Sequence, residues 1–238
     1  LNTSSSLEKQ FVDSAPTDLS RLFEAESASL FVWIPKTAGT SLFKWFSSQT
    51  ETLLVKDARP LLENDHEGFR GGIVSFASMN VDSLVGGGFF AREVLEQRFS
   101  FAFVRNPYSR ALSLYRYAVQ MRALPRKTPF SLFLVTIARQ RPRPGLYNWA
   151  GLSMASPMVS WIKQENWDGP STVYRIEDAE TAFRDLASCL GLNGEPGLEN
   201  RTDSSQSPSR IGKFERRIIC DIYGEDFEEF GYPLEPPQ

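Results

Sequence analysis

The chain has 238 residues, enough for one ordinary domain with its own hydrophobic core. Hydrophobic residues make up 41% of it and charged residues 23%, as in soluble globular proteins. The formal net charge of −3 excludes a global field that would attract nucleic acid or an anionic membrane, so a site for an anion must be a local cluster of basic side chains.

The first predicted elements lie in residues 1–47. Residues 1–28 are polar and rich in serine, which predicts a loose N-terminal arm. Residues 30–34, Leu-Phe-Val-Trp-Ile, form a short continuous apolar run, typical of a strand buried on both faces of a parallel sheet. Pro35 ends this run, and residues 40–47 are predicted as the helix that follows.

Two further strand–helix pairs come later in the chain. Residues 99–104 predict a second buried strand, after which Asn106 and Pro107 suit the N-cap and the first position of a helix. Residues 171–176 predict a third strand, and Gly191 ends the helix after it.

Helices are also predicted over residues 89–98 and 213–223. Because strands alternate with helices, the sequence predicts an α/β fold with a central parallel sheet flanked by helices. In such folds ligands bind in the crevice beyond the carboxyl ends of the strands.

The turn after the first strand has the composition of an anion site. Backbone N–H groups and the helix dipole favour an anion at a helix N-terminus, and small residues let the backbone approach a ligand closely. A lysine adds positive charge, and hydroxyl groups add donors. The residues of this predicted site are Lys36, Thr37, Ala38, Gly39, Thr40 and Ser41. Taken alone, an ordinary strand–helix turn is the equal alternative.

This turn differs from a Walker A loop. There the lysine follows the last glycine, whereas Lys36 precedes Gly39. The second predicted strand also lacks the terminal aspartate that would hold Mg²⁺. An ATPase or kinase is therefore the least favoured interpretation.

The second predicted strand also ends in a charged turn. Arg105 follows it directly, and Ser109 and Ser113 lie one helical turn apart on the next helix. An arginine and a serine hydroxyl together suit a phosphate monoester. A surface arginine beside a helix start is the alternative.

Together these motifs resemble the carbohydrate-type sulfotransferases, the sulfotransferase-2 group. The likeness spans roughly residues 29–234. Its segments are Ile34-Pro-Lys-Thr-Ala-Gly-Thr-Ser41, Phe103-Val-Arg-Asn-Pro-Tyr-Ser-Arg110 with Ser113, Val173-Tyr-Arg-Ile-Glu-Asp178, Asn200-Arg-Thr202 and Tyr223-Gly-Glu-Asp-Phe-Glu-Glu-Phe-Gly-Tyr232. The resemblance implies a P-loop-like three-layer sandwich, with residues 29–238 as a single sulfotransferase domain.

The resemblance also implies a reaction and a cofactor. The enzyme would transfer the sulfuryl group of 3′-phosphoadenosine 5′-phosphosulfate (PAPS) to an acceptor hydroxyl on a carbohydrate or glycoconjugate, leaving the product PAP, with no metal required. The lysine turn would wrap the 5′-phosphosulfate, with Lys36 also catalytic. Arg105 and Ser113 would take the 3′-phosphate, and Arg201 and Thr202 would help to close the site.

The general base expected from this resemblance is missing. Many relatives have Gly-His where the spacing places Ala77-Ser78, and a serine hydroxyl cannot replace imidazole. We expect His66 or Glu67 to act as the base, with Glu63 and Asp65 as neighbouring candidates. A solvated loop histidine is the alternative. An inactive PAPS- or PAP-binding protein of the same fold is the second interpretation of the chain.

A basic and aromatic segment, residues 121–149, is a candidate acceptor site or a solvated, proline-rich loop. Its residues of interest are Arg122, Arg126, Lys127, Arg139, Arg141, Arg143, Tyr147 and Trp149. The single histidine, His66, excludes a metal site made of several histidines.

Two cysteines, Cys189 and Cys220, are too few for a disulfide scaffold. Their helical patterns predict buried free thiols, with one bridge between them as the alternative. No stretch reaches the about 20 apolar residues of a membrane span. We therefore expect a cytoplasmic protein, a removed N-terminal anchor or signal being the alternative.

Overall fold

The computed structural model describes residues 28–54, 71–76, 81–86, 88, 91–144, 153–163, 165, 167–194 and 211–237, and the elements are numbered along these residues. The strands are β1 Ser29–Val32, β2 Thr52–Leu54, β3 Ile73–Ser75, β4 Ser100–Val104 and β5 Thr172–Arg175. The α-helices are α1 Gly39–Ser47, α2 Val81–Gly86, α3 Arg92–Glu96, α4 Pro107–Gln120, α5 Phe130–Gln140, α6 Val159–Ile162, α7 Ala179–Leu190 and α8 Lys213–Glu229. Short 3₁₀ turns cover Ser153–Ala155 and Ile176–Asp178.

The five strands form one parallel sheet in the order β2-β3-β1-β4-β5. In the central pair, Leu30 lies opposite Ser100 and Val32 opposite Ala102. Because all neighbours are parallel, the carboxyl ends of all five strands lie at one edge. The predicted α/β fold with a central parallel sheet flanked by helices is confirmed.

Each face of the sheet is covered by its own helices, because side chains alternate along a strand. On one face, Phe101 and Phe103 of β4 belong to a buried cluster with residues of α1 and α7. On the other, Ala102 and Val104 belong to a cluster with residues of α4, α5 and α8. The core is therefore divided into two layers by the sheet.

The helix that follows β1 and the helix that follows β4 lie on opposite faces. Leu42 of α1 packs in the first cluster, whereas Leu114 of α4 packs in the second. The chain therefore leaves the neighbouring strands β1 and β4 toward opposite faces of the sheet. This leaves a crevice between their carboxyl ends, the usual ligand site of open α/β sheets.

The strong sequence signals are found close to where they were predicted. Three predicted strands correspond to β1, β4 and β5. Asn106 caps α4 by accepting hydrogen bonds from the N–H groups of Tyr108 (3.0 Å) and Ser109 (3.4 Å), and Pro107 is the first helical residue. Gly191, with φ 64°, ends α7.

Other expectations need correction. The helix predicted over residues 89–98 is the shorter α3, and the one predicted over residues 213–223 continues through a kink at Tyr223 to Glu229. Both cysteines are free, but Cys189 is exposed and Cys220 is only half-buried, so the prediction of buried thiols is wrong. Within the described part of the chain, no helix combines the length and apolar character needed to cross a membrane.

Candidate functional site

The loop between β1 and α1 has an unusual backbone. Lys36 and Ala38 both adopt left-handed conformations, with φ of 70° and 69°. This region is unfavourable for residues that carry a Cβ atom. The buried Thr37 hydroxyl donates to the Ile34 carbonyl at 2.8 Å, which ties the loop back to the end of the strand. Since Ala38 is the N-cap of α1, its methyl group cannot accept from the first helical amides.

Gly39 is needed for a reason that the sequence did not reveal. A Cβ atom at this position would overlap the indole ring of Trp33. The same indole stacks on Phe43 of α1, with ring centroids 5.9 Å apart. In the structure this glycine lets Trp33 pack against the start of α1, and its predicted role in letting a ligand approach the backbone stays a prediction.

Arg110 fixes the loop between β1 and α1 through hydrogen bonds to backbone carbonyl groups. This fully buried side chain of α4 donates from Nε to the Pro35 carbonyl at 3.0 Å. Its two terminal nitrogens donate to the carbonyls of Ser156 and Met154, both at 2.9 Å. The residue before Lys36 is thereby held to α4, a contact that no local sequence pattern indicates.

The two predicted cations lie close enough to repel each other. Burial, and secondly the charge of Arg105, lower the pKa of Lys36 to about 8. Burial and the charge of Arg116 lower the pKa of Arg105, and Glu177 opposes this shift. The loop after β1 and the turn after β4 therefore bring the charges of Lys36 and Arg105 within interacting distance, and their binding roles stay predictions.

Glu177 connects this crevice to the chain after β5 and to the C-terminal residues. Its carboxylate accepts a hydrogen bond from the N–H of Asn106 at 2.7 Å and another from the Tyr232 hydroxyl at 2.8 Å. Burial, with Glu177 as the second cause, raises the pKa of Tyr232. The carboxylate at this edge is thus engaged in hydrogen bonds that position the turn carrying Arg105.

One face of α4 borders the crevice. Arg110, Ser113 and Tyr117 follow the i, i+3, i+7 spacing of a single helical face. Ser113 is buried, and the Lys36 ammonium lies 4.1 Å from the centroid of the Tyr117 ring. Helical spacing predicted that Ser113 lies one turn after Ser109 on the same helix, but nothing in the sequence indicated that Tyr117 contacts Lys36.

Several predicted residues lie outside the described residues. They are His66, Glu67, Glu63, Asp65, Ser78, Arg201, Thr202, Tyr147 and Trp149. The basic residues proposed for the acceptor lie at both ends of α5, an 11-residue helix with a rise of about 16 Å. Arg122, Arg126 and Lys127 precede it, whereas Arg139, Arg141 and Arg143 lie at its C-terminal end. The segment interpreted as an acceptor site or a solvated loop is thus divided by a helix with one buried face.

A five-stranded parallel sheet flanked by helices, with a lysine-bearing turn between β1 and α1, defines an α/β fold of the P-loop-like type. The chain belongs to the sulfotransferase family, whose model matches residues 24–233. The predicted enzyme class, a PAPS-dependent sulfotransferase, is thereby confirmed.

Two solved structures are similar to this chain. A sulfotransferase from Alicyclobacillus acidocaldarius aligns with a TM-score of 0.49 and 14% identity, over 89% of this chain and 97% of that one. Mouse sulfotransferase SULT7A1 complexed with PAP aligns with a TM-score of 0.43 and 16% identity, over 82% and 73%. Among curated proteins, none matches the sequence significantly.

Proposed function

We propose that the crevice between β1 and β4 binds PAPS. The loop from Lys36 to Ser41 binds the 5′-phosphosulfate, and Arg105 with Ser113 binds the 3′-phosphate. The observation that carries this proposal is the placement of Lys36 and Arg105 beyond the carboxyl ends of the adjacent parallel strands β1 and β4, at the switch point of the sheet. Such an arrangement is unfavourable alone and becomes favourable when a polyanion is present.

The charges of the described residues fit a doubly phosphorylated nucleotide. Lys36, Arg105 and Arg116 contribute three positive charges. Glu177 contributes a carboxylate, which raises the pKa of Arg105. The left-handed Lys36 and Ala38 shape the approach to the N-terminus of α1, where helix amides favour an anion. Arg201 and Thr202 complete the proposed site.

The chain's own residues then have distinct chemical roles. When bound, PAPS supplies the sulfuryl group. Lys36 stabilises the negative charge that develops on the departing nucleotide, through an electrostatic contact in a desolvated crevice. His66 or Glu67 accepts the proton of the acceptor hydroxyl, a contribution of about 10²–10⁴ in rate.

The 3′-phosphate provides the test of donor recognition. PAP and 5′-AMP differ only in this group, so calorimetry with both ligands isolates its contribution. Arg105→Met should weaken PAP binding by about tenfold to hundredfold, because a charge-assisted contact is lost, and should leave 5′-AMP binding nearly unchanged. Arg184→Met, an exposed arginine of α7, is the matched control. Equal affinity of the unmodified protein for PAP and 5′-AMP would contradict the proposal.

The assignment of the base separates the enzyme from an inactive nucleotide-binding protein. Transfer from radiolabelled PAPS is measured for alanine variants of His66, Glu67, Glu63 and Asp65, with PAP affinity as the control. A large loss of turnover at unchanged PAP affinity identifies the base. PAP binding without turnover of any hydroxylated acceptor would favour the inactive alternative.

We propose a carbohydrate or glycoconjugate hydroxyl as the acceptor. The resemblance to carbohydrate-type enzymes supports this assignment, as do the arginines at both ends of α5, which suit anionic sugars. A panel of sulfated and uronic-acid oligosaccharides, compared with phenolic acceptors in the transfer assay, tests it. A cytoplasmic location stays a prediction.

A further inference from the structure

Lys36 is held at two points by one face of α4. The residue before it is fixed through its carbonyl by Arg110, and its ammonium lies over the ring of Tyr117. Arg110 and Tyr117 are seven residues apart, two turns of the helix or about 10 Å. Ser113 lies between them on the same face, so the lysine and the proposed 3′-phosphate contact share one support.

The distance between Lys36 and Tyr117 is that of a cation–π interaction. The ammonium is 4.1 Å from the ring centroid, well inside the about 6 Å within which an aromatic face attracts a cation. Tyr117 is half-buried and packs against the hydrophobic cluster under α4 and α8, so its ring is fixed by neighbours other than Lys36. The aromatic face is therefore available as a fixed support for the ammonium.

The surroundings of Lys36 make such a support useful. Burial and Arg105 at the end of β4 both lower the pKa of Lys36, to about 8. In turn, Arg116 of α4 lowers the pKa of Arg105, whereas Glu177 raises it. A neutral or displaced lysine could not attract the donor, whereas the negative face of an aromatic ring favours the charged form without neutralising it.

We propose that Tyr117 is a positioning residue whose ring holds the Lys36 ammonium, charged and facing the crevice, before the nucleotide binds. The inference rests on the proposed function. When the donor binds, the ammonium keeps the ring on one side and pairs with the phosphosulfate on the other, so the ring stabilises the charged lysine in both the free and the bound protein. Tyr117 therefore acts through Lys36 on the affinity for the nucleotide.

The direct test is the titration of Lys36 in the nucleotide-free protein. Competitive labelling of amines over pH 6–10, followed by mass spectrometry of the peptide that contains Lys36, gives its pKa. Tyr117→Leu should lower the pKa of Lys36. Tyr117→Phe, which keeps the ring, should leave this pKa as it is in the unmodified protein. Gln120→Ala, at an exposed position on α4, is the matched control.

A second substitution keeps the shape and changes only the ring electrostatics. Pentafluorophenylalanine at position 117 has nearly the packing of phenylalanine but a reversed ring quadrupole, so it should lower the pKa of Lys36 even if Tyr117→Leu folds poorly. If the pKa is the same with phenylalanine and with its fluorinated analogue, the proposal is wrong.

PAP binding provides the functional readout. At pH 8, the fluorinated variant should bind PAP about 3- to 30-fold more weakly than Tyr117→Phe, the range of a cation–π contact. The difference should shrink at pH 6, where Lys36 is charged in both variants. Unchanged affinity ratios across pH would overturn the positioning role. Failure of the unmodified protein to bind PAP would instead contradict the proposed function, while the titration still tests the Lys36–Tyr117 contact.

Discussion

Lys36 carries its charge where the fold disfavours it. Its pKa is about 8 in the native protein against an ordinary value of 10.5, chiefly because of burial and secondly because of Arg105. Below pH 8 the lysine is charged in both native and unfolded states, and its charge destabilises the native state. Between pH 8 and 10.5 the unfolded chain binds more protons, so this group makes stability rise with pH.

Lys36→Met should therefore stabilise the protein at pH 7 while abolishing transfer activity. Methionine keeps much of the side-chain volume and contacts aromatic rings favourably. A gain on the order of 1 kcal/mol corresponds to a rise in Tm of about 2–4 °C for a chain of this size. The gain should disappear towards pH 10.5. Thermal unfolding at both pH values measures it, with Lys44→Met as a control for loss of a lysine. A lower Tm for Lys36→Met at pH 7 would contradict this account.

Single residues were predictable where their position in the chain fixes their place in the fold. Lys36 and Arg105 each follow a buried strand, so the parallel sheet brings them to one edge. Arg110 and Tyr117 act through contacts with residues far away in the sequence, which no local pattern encodes. The base candidates His66 and Glu67 lie outside the described residues and stay predictions.

Among the elements, β1 and α1 are joined by an aromatic contact that depends on one glycine. Trp33, just after β1, stacks on Phe31 and on Phe43, with centroid distances of 5.8 and 5.9 Å. A methyl group at Gly39 would overlap the Trp33 indole, so either the ring or the start of α1 must shift. Both movements would disturb the loop that carries Lys36.

Gly39→Ala should destabilise the protein by about 1–3 kcal/mol, the usual cost of overpacking. Trp33→Leu should cost stability alone but remove part of the penalty of Gly39→Ala, because the overlapping ring is gone. Urea unfolding of both single variants and the double variant gives the coupling energy. Gly224→Ala in α8, where an added Cβ meets nothing within 4 Å, is the control. Additive effects at positions 33 and 39 would contradict the proposed overlap.

Among the strands, the sequence predicted the two central ones and one edge strand. β1 and β4 are fully buried strands with mostly apolar residues, whereas β5 is an edge strand beside β4 with only Val173 and Tyr174 as apolar residues. β2 and β3 have only three residues each and were not predicted. The helix α5 lies in a segment rich in proline and arginine, for which an acceptor site or a solvated loop was predicted, yet its buried residues Phe133, Leu134 and Ile137 pack in the core beside α4 and α8.

At the scale of the whole molecule, two opposite buried charges fix the segment 154–159. Arg110 of α4 donates to the carbonyls of Met154 and Ser156. Asp226 of α8 accepts from the N–H groups of Met158 and Val159, at 3.0 and 2.8 Å. Burial raises the pKa of Asp226, while Arg110 and these hydrogen bonds oppose that rise. The segment thus joins α4, α8 and, through Arg110, the loop before Lys36.

Because Arg110 also holds Pro35, its loss should affect both stability and the site. Arg110→Met leaves three buried carbonyl groups without their donor, at about 1–3 kcal/mol for each unsatisfied group. It also removes the positive charge that lowers the pKa of Asp226, so the pKa of that carboxyl should rise further. We expect a loss of at least about 3 kcal/mol in urea unfolding, together with weaker PAP binding, because the Pro35–Lys36 backbone is no longer fixed to α4.

A matched control separates these two effects. Ile137→Ala removes a buried side chain of α5, away from the crevice, at a cost of about 2–5 kcal/mol. Both variants are compared by calorimetry at a temperature where each is fully folded. Arg110→Met should weaken PAP binding, whereas Ile137→Ala should leave it nearly unchanged at similar stability. Equal PAP affinities in the two variants would mean that Arg110 stabilises the fold without positioning the lysine loop.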